Sequence, residues 1–217
     1  MTTVLPSCAI TAAAIGRAVV LFVCGWLAVS PAEAGEPLDS VKARHEQYLR
    51  LLQEPSLQSK DKESELNVRL RDIEMPLVDF DEMAKRALAK HWSLITAAEQ
   101  KEFIALFRDY FAAGNRLPAR FTSKDLVLQR ETIDGEFAEV EGYFFFPEQR
   151  NAPVVYKLHR VDGIWKLYDY TAWGVSSVEV LRAQFARVIA RSSFRGLIDV
   201  LRERIAQMDK GRGAEKK

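Results

Sequence analysis

The period of the apolar positions changes twice along the chain, dividing it into helices, then strands, then helices again. Residues Leu38 to Leu52 and Ser59 to Ile73 read as two helices punctuated by Pro55. The second, with KDKESELNVRLRD at its centre, has only Leu66, Val68, Leu70 and Ile73 as anchors and reads as a solvated outer helix. Met75-Pro76 breaks the pattern. Asp79 or Asp81 then caps a helix running to about Leu94, with Phe80, Met83, Ala84, Ala87, Leu88, His91 and Ile95 on one stripe. Thr96 and Glu99 form a capping box for the next helix. That helix carries a broad face of Phe103, Ile104, Leu106, Phe107, Tyr110 and Phe111 and ends near Gly114 or Pro118.

The period then falls to two. Segments 125–133, 136–146, 153–161 and 164–174 read as strands, and Asp134-Gly135 and Asp162-Gly163 are hairpin signals. Ser176 or Ser177 caps a helix bearing Val178, Leu181, Phe185, Val188 and Ile189. Ser193 caps a last one bearing Phe194, Leu197, Ile198, Leu201, Ile205 and Met208, and the polar tail 210–217 is expected to be disordered. The order predicts an α+β fold: N-terminal helices, a curved antiparallel meander, and further helices packed on one face of it.

One strand departs from simple alternation. In 164–174, Trp165, Leu167, Asp169, Thr171 and Trp173 point one way, and Ile164, Lys166, Tyr168, Tyr170 and Ala172 the other, so both faces carry rings. Alternation groups Ala138, Val140, Gly142, Phe144 and Phe146 with Leu126 and Leu128, with Val154, Tyr156 and Leu158, and with Trp165 and Leu167. Phe103, Phe107, Phe111 and Phe185 are expected opposite. Gly142 weakens a strand interior unless something approaches closely there. A ring-rich wall with a gap suits an apolar ligand; it equally suits a well-packed core, and pattern alone leaves both open.

Composition adds an address. Among 217 residues, 48% are hydrophobic and 28% charged, the values of a folded globular chain, and the net charge of +1 supplies no field to attract nucleic acid. Arg17, the uncharged run Ala18–Val29 and Ala32-Glu33-Ala34 follow the order of a cleavable secretory signal. Cleavage is expected after Ala34, leaving a domain over 35–209 in the periplasm. Both cysteines, Cys8 and Cys24, lie in the segment to be removed, so no thiol or disulfide chemistry is expected afterwards. His45, His91 and His159 have no metal-ligand spacing, and no metal or cofactor is expected. Asp169 between Tyr168 and Tyr170 is either a base with a raised pKa or a rim group bonded to backbone or an arginine. His91 is either a buried base or a core histidine. These residues frame an alternative, a small pocket enzyme of cone-shaped α+β type.

Two stretches carry a family resemblance. VDFDEMAKRALAKHWSLITAAEQKEFIALF (78–107) supplies Phe80-Asp81, Met83-Ala84, Ala87-Leu88, Trp92, Thr96, Gln100, Phe103 and Phe107. WKLYDYTAWGVSSVEVLRAQF (165–185) supplies Trp165-Lys166, Tyr168-Asp169, Gly174-Val175-Ser176, Arg182, Gln184 and Phe185. Together they resemble the MlaC family of periplasmic lipid-binding proteins, first described as toluene-tolerance proteins; its hopanoid-associated branch, HpnM, is similar. Trp173, Leu181 and Ala183 stand where the family pattern has Glu, Tyr and Ser. The resemblance implies a carrier that holds phospholipid or hopanoid-type lipid between sheet and helices. It also implies an inner-membrane ABC transporter and an outer-membrane lipoprotein complex as partners. The pocket it implies draws on Trp92, Phe103, Phe107, Val140, Gly142, Phe144, Phe146, Tyr156, Leu158, Trp165, Leu167, Trp173 and Phe185.

Overall fold

The computed structural model describes residues 36–114, 126–145 and 151–214. Its helices begin where short polar side chains or proline allow. Helix α1, Pro37–Leu52, opens on Pro37, whose missing N–H is no loss in a first turn. Its cap comes from a distance: the Leu38 N–H donates to Glu131 Oε2 at 2.8 Å, on the first strand. Helix α2 is Glu63–Glu74, and the turn Met75–Leu77 follows it. Asp79 caps α3, Phe80–Leu88, by accepting from the Glu82 N–H at 3.0 Å. The expected continuation to Leu94 fails at Ala89, which adopts φ 48° and passes the chain into a 3₁₀ turn over Ala89–Leu94. Helix α4, Ala97–Gly114, starts on the expected capping box: the Glu99 N–H donates to Thr96 Oγ1 at 3.2 Å, and the Thr96 N–H to Glu99 Oε2 at 2.9 Å.

The sheet is an antiparallel meander of five strands among the described residues, in chain order: β1 Leu126–Asp134, β2 Phe137–Phe144, β3 Ala152–Val161, β4 Ile164–Ala172 and β5 Val175–Ser176. Asp162 and Gly163 both take left-handed φ, 51° and 77°, as a two-residue hairpin turn requires. Trp173 and Gly174 do the same at 55° and 76°, adding a short hairpin at the end of β4. Helix α5, Ser177–Arg191, is capped by Ser176, and α6 runs Phe194–Ala214, so the helix continues past the expected boundary at 210.

A bulge explains the rings on both faces of β4. Lys157 pairs with Asp169 but Leu158 pairs with Leu167, leaving Tyr168 as the extra residue. One face then carries Trp165, Leu167 and Tyr170 beside Arg160, Leu158 and Tyr156; the other carries Lys166, Tyr168 and Asp169. Helix α1 covers the first face, where Val41 packs with Ala138, Val140, Leu158 and Trp165. Helices α3 and α5 cover the second: Arg86 of α3 lies 4.2 Å over the Tyr168 ring, and Asp169 accepts from the Val178 N–H of α5 at 3.0 Å. Helices therefore flank the sheet on both sides, rather than one. The chain crosses between sides along the edge of β4, where Val78 bridges Leu167 and the Asp79 N–H donates to the Leu167 carbonyl at 2.9 Å.

A second core lies among α3, α4, α5 and α6. Phe103, Phe107 and Phe185 are at most 2% exposed within it. Phe103 stacks on Phe107 with centroids 5.6 Å apart, and Phe185 meets each of them edge-on. Leu197, Ile198 and Leu201 of α6 close this core.

Candidate binding site

The seam between α1 and the sheet is apolar at one end and polar at the other. Near the start of α1, Val41, Ala138, Val140, Leu158 and Trp165 are closed to solvent, with Leu38, Leu126, Leu128, Tyr156 and Leu167 packed around them. Further along α1 the facing residues change character. The His45 ring lies 6.2 Å from that of Phe144. Arg44 donates from Nη2 to the Leu77 carbonyl at 3.3 Å, holding α1 to the crossing segment. The buried Nε of Arg44 and the buried hydroxyl of Tyr48 have no hydrogen-bond partner among the described residues. Burial pushes the Arg44 guanidinium down to about 10, with Glu74 and Tyr156 opposing the shift. Burial raises the Tyr48 hydroxyl above its ordinary range and Glu74 raises it further; burial likewise raises Tyr156. At neutral pH all three groups are therefore proton-bearing donors. Tyr170 lies beside Tyr156 on the neighbouring strand, and Trp173 and Phe145 follow at the strand ends, each of the three exposed.

The thirteen residues expected to form one pocket fall into separate places. Val140, Leu158 and Trp165 meet in the seam, and Tyr156 and Leu167 border it. Phe144 sits at its polar end beside His45. Phe103, Phe107 and Phe185 belong to the helical core and do not face this wall, because the bulged strand directs α3 and α5 to the other side. Trp92 packs on the edge of that same core. Gly142 answers a backbone contact: a Cβ there would run into the carbonyl oxygen of Val127 and lie 3.1 Å from Leu128 Cα, so the gap is filled by β1. Trp173, 54% exposed, forms the tip of a hairpin. Phe146 lies outside the described residues.

On the opposite side of the sheet a half-open pocket of about 480 Å³ is lined by Met75, Val78, Phe80, Trp92, Ile104, His159 and Lys166, among others. Asp79 also lines it, 2.6 Å from His159 Nδ1, while its other oxygen caps α3. The His159 ring stacks on Phe137 at 4.5 Å between centroids. This pair fastens the start of α3 to β3, and none of the described residues lining the pocket is a serine, threonine or cysteine.

The groups named for an enzymatic alternative lie elsewhere. Asp169 is 4% exposed, and both of its oxygens are engaged: Ser176 Oγ donates at 2.7 Å and the Val178 N–H at 3.0 Å. It anchors the first turn of α5. Tyr168 is buried under the Arg86 guanidinium. His91 falls in the 3₁₀ turn after α3 instead of on the α3 stripe. Among the described residues no group of three His, Cys, Asp or Glu is arranged to hold a metal ion, and no helix is long and apolar enough to cross a membrane.

Arg44 and Tyr48 escaped the sequence reading. The available signal was the spacing of Leu38, Val41, His45 and Tyr48, which marks one face of α1; Arg44 borders that face and reads as a solvent charge unless the sheet opposite is known. The Asp79–His159 pair, 80 residues apart in sequence, had no local signal.

Comparison with known proteins adds the following. The sequence pattern of the family described as MlaC protein matches residues 42–203. No curated protein matches the chain. Among solved structures, the fold is similar to that of a phospholipid-binding protein from Ralstonia solanacearum, determined in complex with a phospholipid. The TM-score is 0.64 and the identity 22%, over 79% of this chain and 98% of that one.

Proposed function

Because the chain belongs to the MlaC family, we propose that it is an exported lipid carrier that works by physical transfer and without catalysis. The observation that carries this reading is the apolar face of the sheet, covered by helix α1 and changing from apolar to polar along its length. An amphiphile has the same polarity: chains would follow Val140, Leu158 and Trp165, and the polar end would lie toward Tyr156, Phe144 and the exposed Trp173. The phospholipid held by the similar Ralstonia protein supports the ligand class.

The physics sets the manner of transfer. Each buried methylene contributes roughly 0.8 kcal/mol, so a chain of about 16 carbons, roughly 13 kcal/mol, does not escape into water on a useful timescale. Uptake and release therefore need a membrane or partner that offers a continuous apolar path while α1 moves off the sheet. Among the polar contacts that hold the helix there are Glu131 to Leu38 and Arg44 to Leu77. The carrier would act in the periplasm after cleavage behind Ala34. It would exchange phospholipid, or a hopanoid-type lipid, between an inner-membrane ABC transporter complex and an outer-membrane lipoprotein complex. Nucleic acid has no part in this cycle. The test is transfer of a fluorescent phospholipid between donor and acceptor vesicles by the purified mature protein. Transfer that rises with protein concentration supports the reading, and transfer at the rate of vesicles alone overturns it.

A further inference from the structure

A carrier that recognised its cargo only by hydrocarbon would need no polar groups beneath α1. The structure buries two donors there. Arg44 and Tyr48 are one helical turn apart on α1, on the side that faces Tyr156 of the sheet and Glu74 at the end of α2. The Arg44 Nε–H and the Tyr48 O–H are shielded from solvent and have no acceptor among the described residues. A donor buried without an acceptor forfeits its hydration, and such groups are few in folded proteins. Their position is specific: they follow the closed apolar cluster of Val41, Trp165 and Leu158 along the seam and precede its exposed end at Trp173. In a lipid lying along this seam, the atoms at that depth are those where the chains join the headgroup.

Resting on the carrier reading above, we propose that the Arg44 Nε–H and the Tyr48 hydroxyl donate to an oxygen acceptor at the chain–headgroup junction of the bound lipid, so that the site selects cargo bearing an ester carbonyl or a phosphoryl oxygen over bare hydrocarbon. Tyr156, the second protonated hydroxyl of the group, faces Arg44 from β3 and borders the same depth. Glu74 balances the Arg44 charge, so the recognition is of hydrogen-bond acceptors rather than of net negative charge.

The experiment measures binding of three short-chain probes to delipidated mature protein: a diacyl phosphatidylglycerol, its diether analogue, which keeps the phosphate and lacks the carbonyls, and the matching diacylglycerol, which keeps the carbonyls and lacks the phosphate. Tyr48→Phe and Arg44→Met are compared with the parent. Each variant is expected to bind the phosphatidylglycerol about tenfold more weakly, the loss of one hydrogen bond. If the acceptor is a carbonyl, the parent binds the diether analogue weakly and the variants do not change it; if it is a phosphoryl oxygen, diacylglycerol takes that place. Without ligand, Tyr48→Phe should unfold at the parent's temperature or higher, because it removes an unpaired buried hydroxyl and no packing. This second readout separates lost recognition from lost structure and stands alone if Arg44→Met fails to fold. Variants that bind all three probes as the parent does overturn the inference and leave the carrier intact. A parent that binds none of the probes and carries no lipid overturns the carrier reading itself.

Discussion

Asp169→Ala separates a structural acid from a catalytic one. The carboxylate is 4% exposed and accepts two hydrogen bonds, from Ser176 Oγ at 2.7 Å and from the Val178 N–H at 3.0 Å. Both donors belong to the start of α5, so removing the acceptor strands a hydroxyl and a first-turn amide in a buried place. Hydrogen bonds to a charged acceptor contribute about 1.5–3 kcal/mol each. Ser176 retains its own cap on the Glu179 N–H at 3.1 Å, which limits the loss at the helix end. The expected destabilisation is about 3–4 kcal/mol. In a domain of this size that lowers the midpoint of thermal unfolding by roughly 6–15 °C. Asp169→Asn keeps one acceptor and should lose about half as much. Urea unfolding followed by tryptophan fluorescence gives the free energies directly, provided the slope with denaturant is unchanged. An Asp169→Ala protein within about 1 kcal/mol of the parent would refute the reasoning, since two buried hydrogen bonds cannot vanish so cheaply.

Three further outcomes follow from the geometry. Gly142→Ala places a Cβ against the Val127 carbonyl and should destabilise by about 2 kcal/mol or more, with β1 losing amide protection first in hydrogen exchange. Trp173→Gly relieves a left-handed residue at φ 55° and should raise stability by about 1 kcal/mol in urea unfolding, while slowing lipid exchange with vesicles if the exposed ring meets the membrane. Glu131→Ala removes the acceptor for the Leu38 N–H and should speed hydrogen exchange across residues 37–52 several-fold while global stability falls by only about 1 kcal/mol.

Local features were legible in the sequence. Thr96 and Glu99 formed the expected reciprocal cap, and Asp162-Gly163 the expected tight turn, because each is decided by a few neighbouring atoms. The meander followed, since consecutive strands joined by short turns have little choice but to pair. What escaped was the assignment of helices to faces. Phe103, Phe107 and Phe185 have the same apolar character as Trp165 and Leu158, and nothing in that character says that the two groups form separate cores. The bulge at Tyr168 decides it, yet a bulge is a relation between two strands, invisible in either alone. Gly142 was recognised as a place of close approach, but the approaching group is β1 and not a ligand. The stop at Ala89 lies in a stretch whose composition favours continuing the helix; the helix read through to about Leu94 therefore ran about six residues beyond the last helical residue, Leu88.

The carrier account stands or falls on whether lipid is held. Native mass spectrometry of the mature protein purified from the cell envelope, with the bound material extracted and identified by fragmentation, measures this most directly. The account predicts a stoichiometric adduct that is an acyl lipid, displaced when the protein meets vesicles. Protein that is lipid-free as isolated, and that gains no lipid from vesicles while remaining folded, would contradict it.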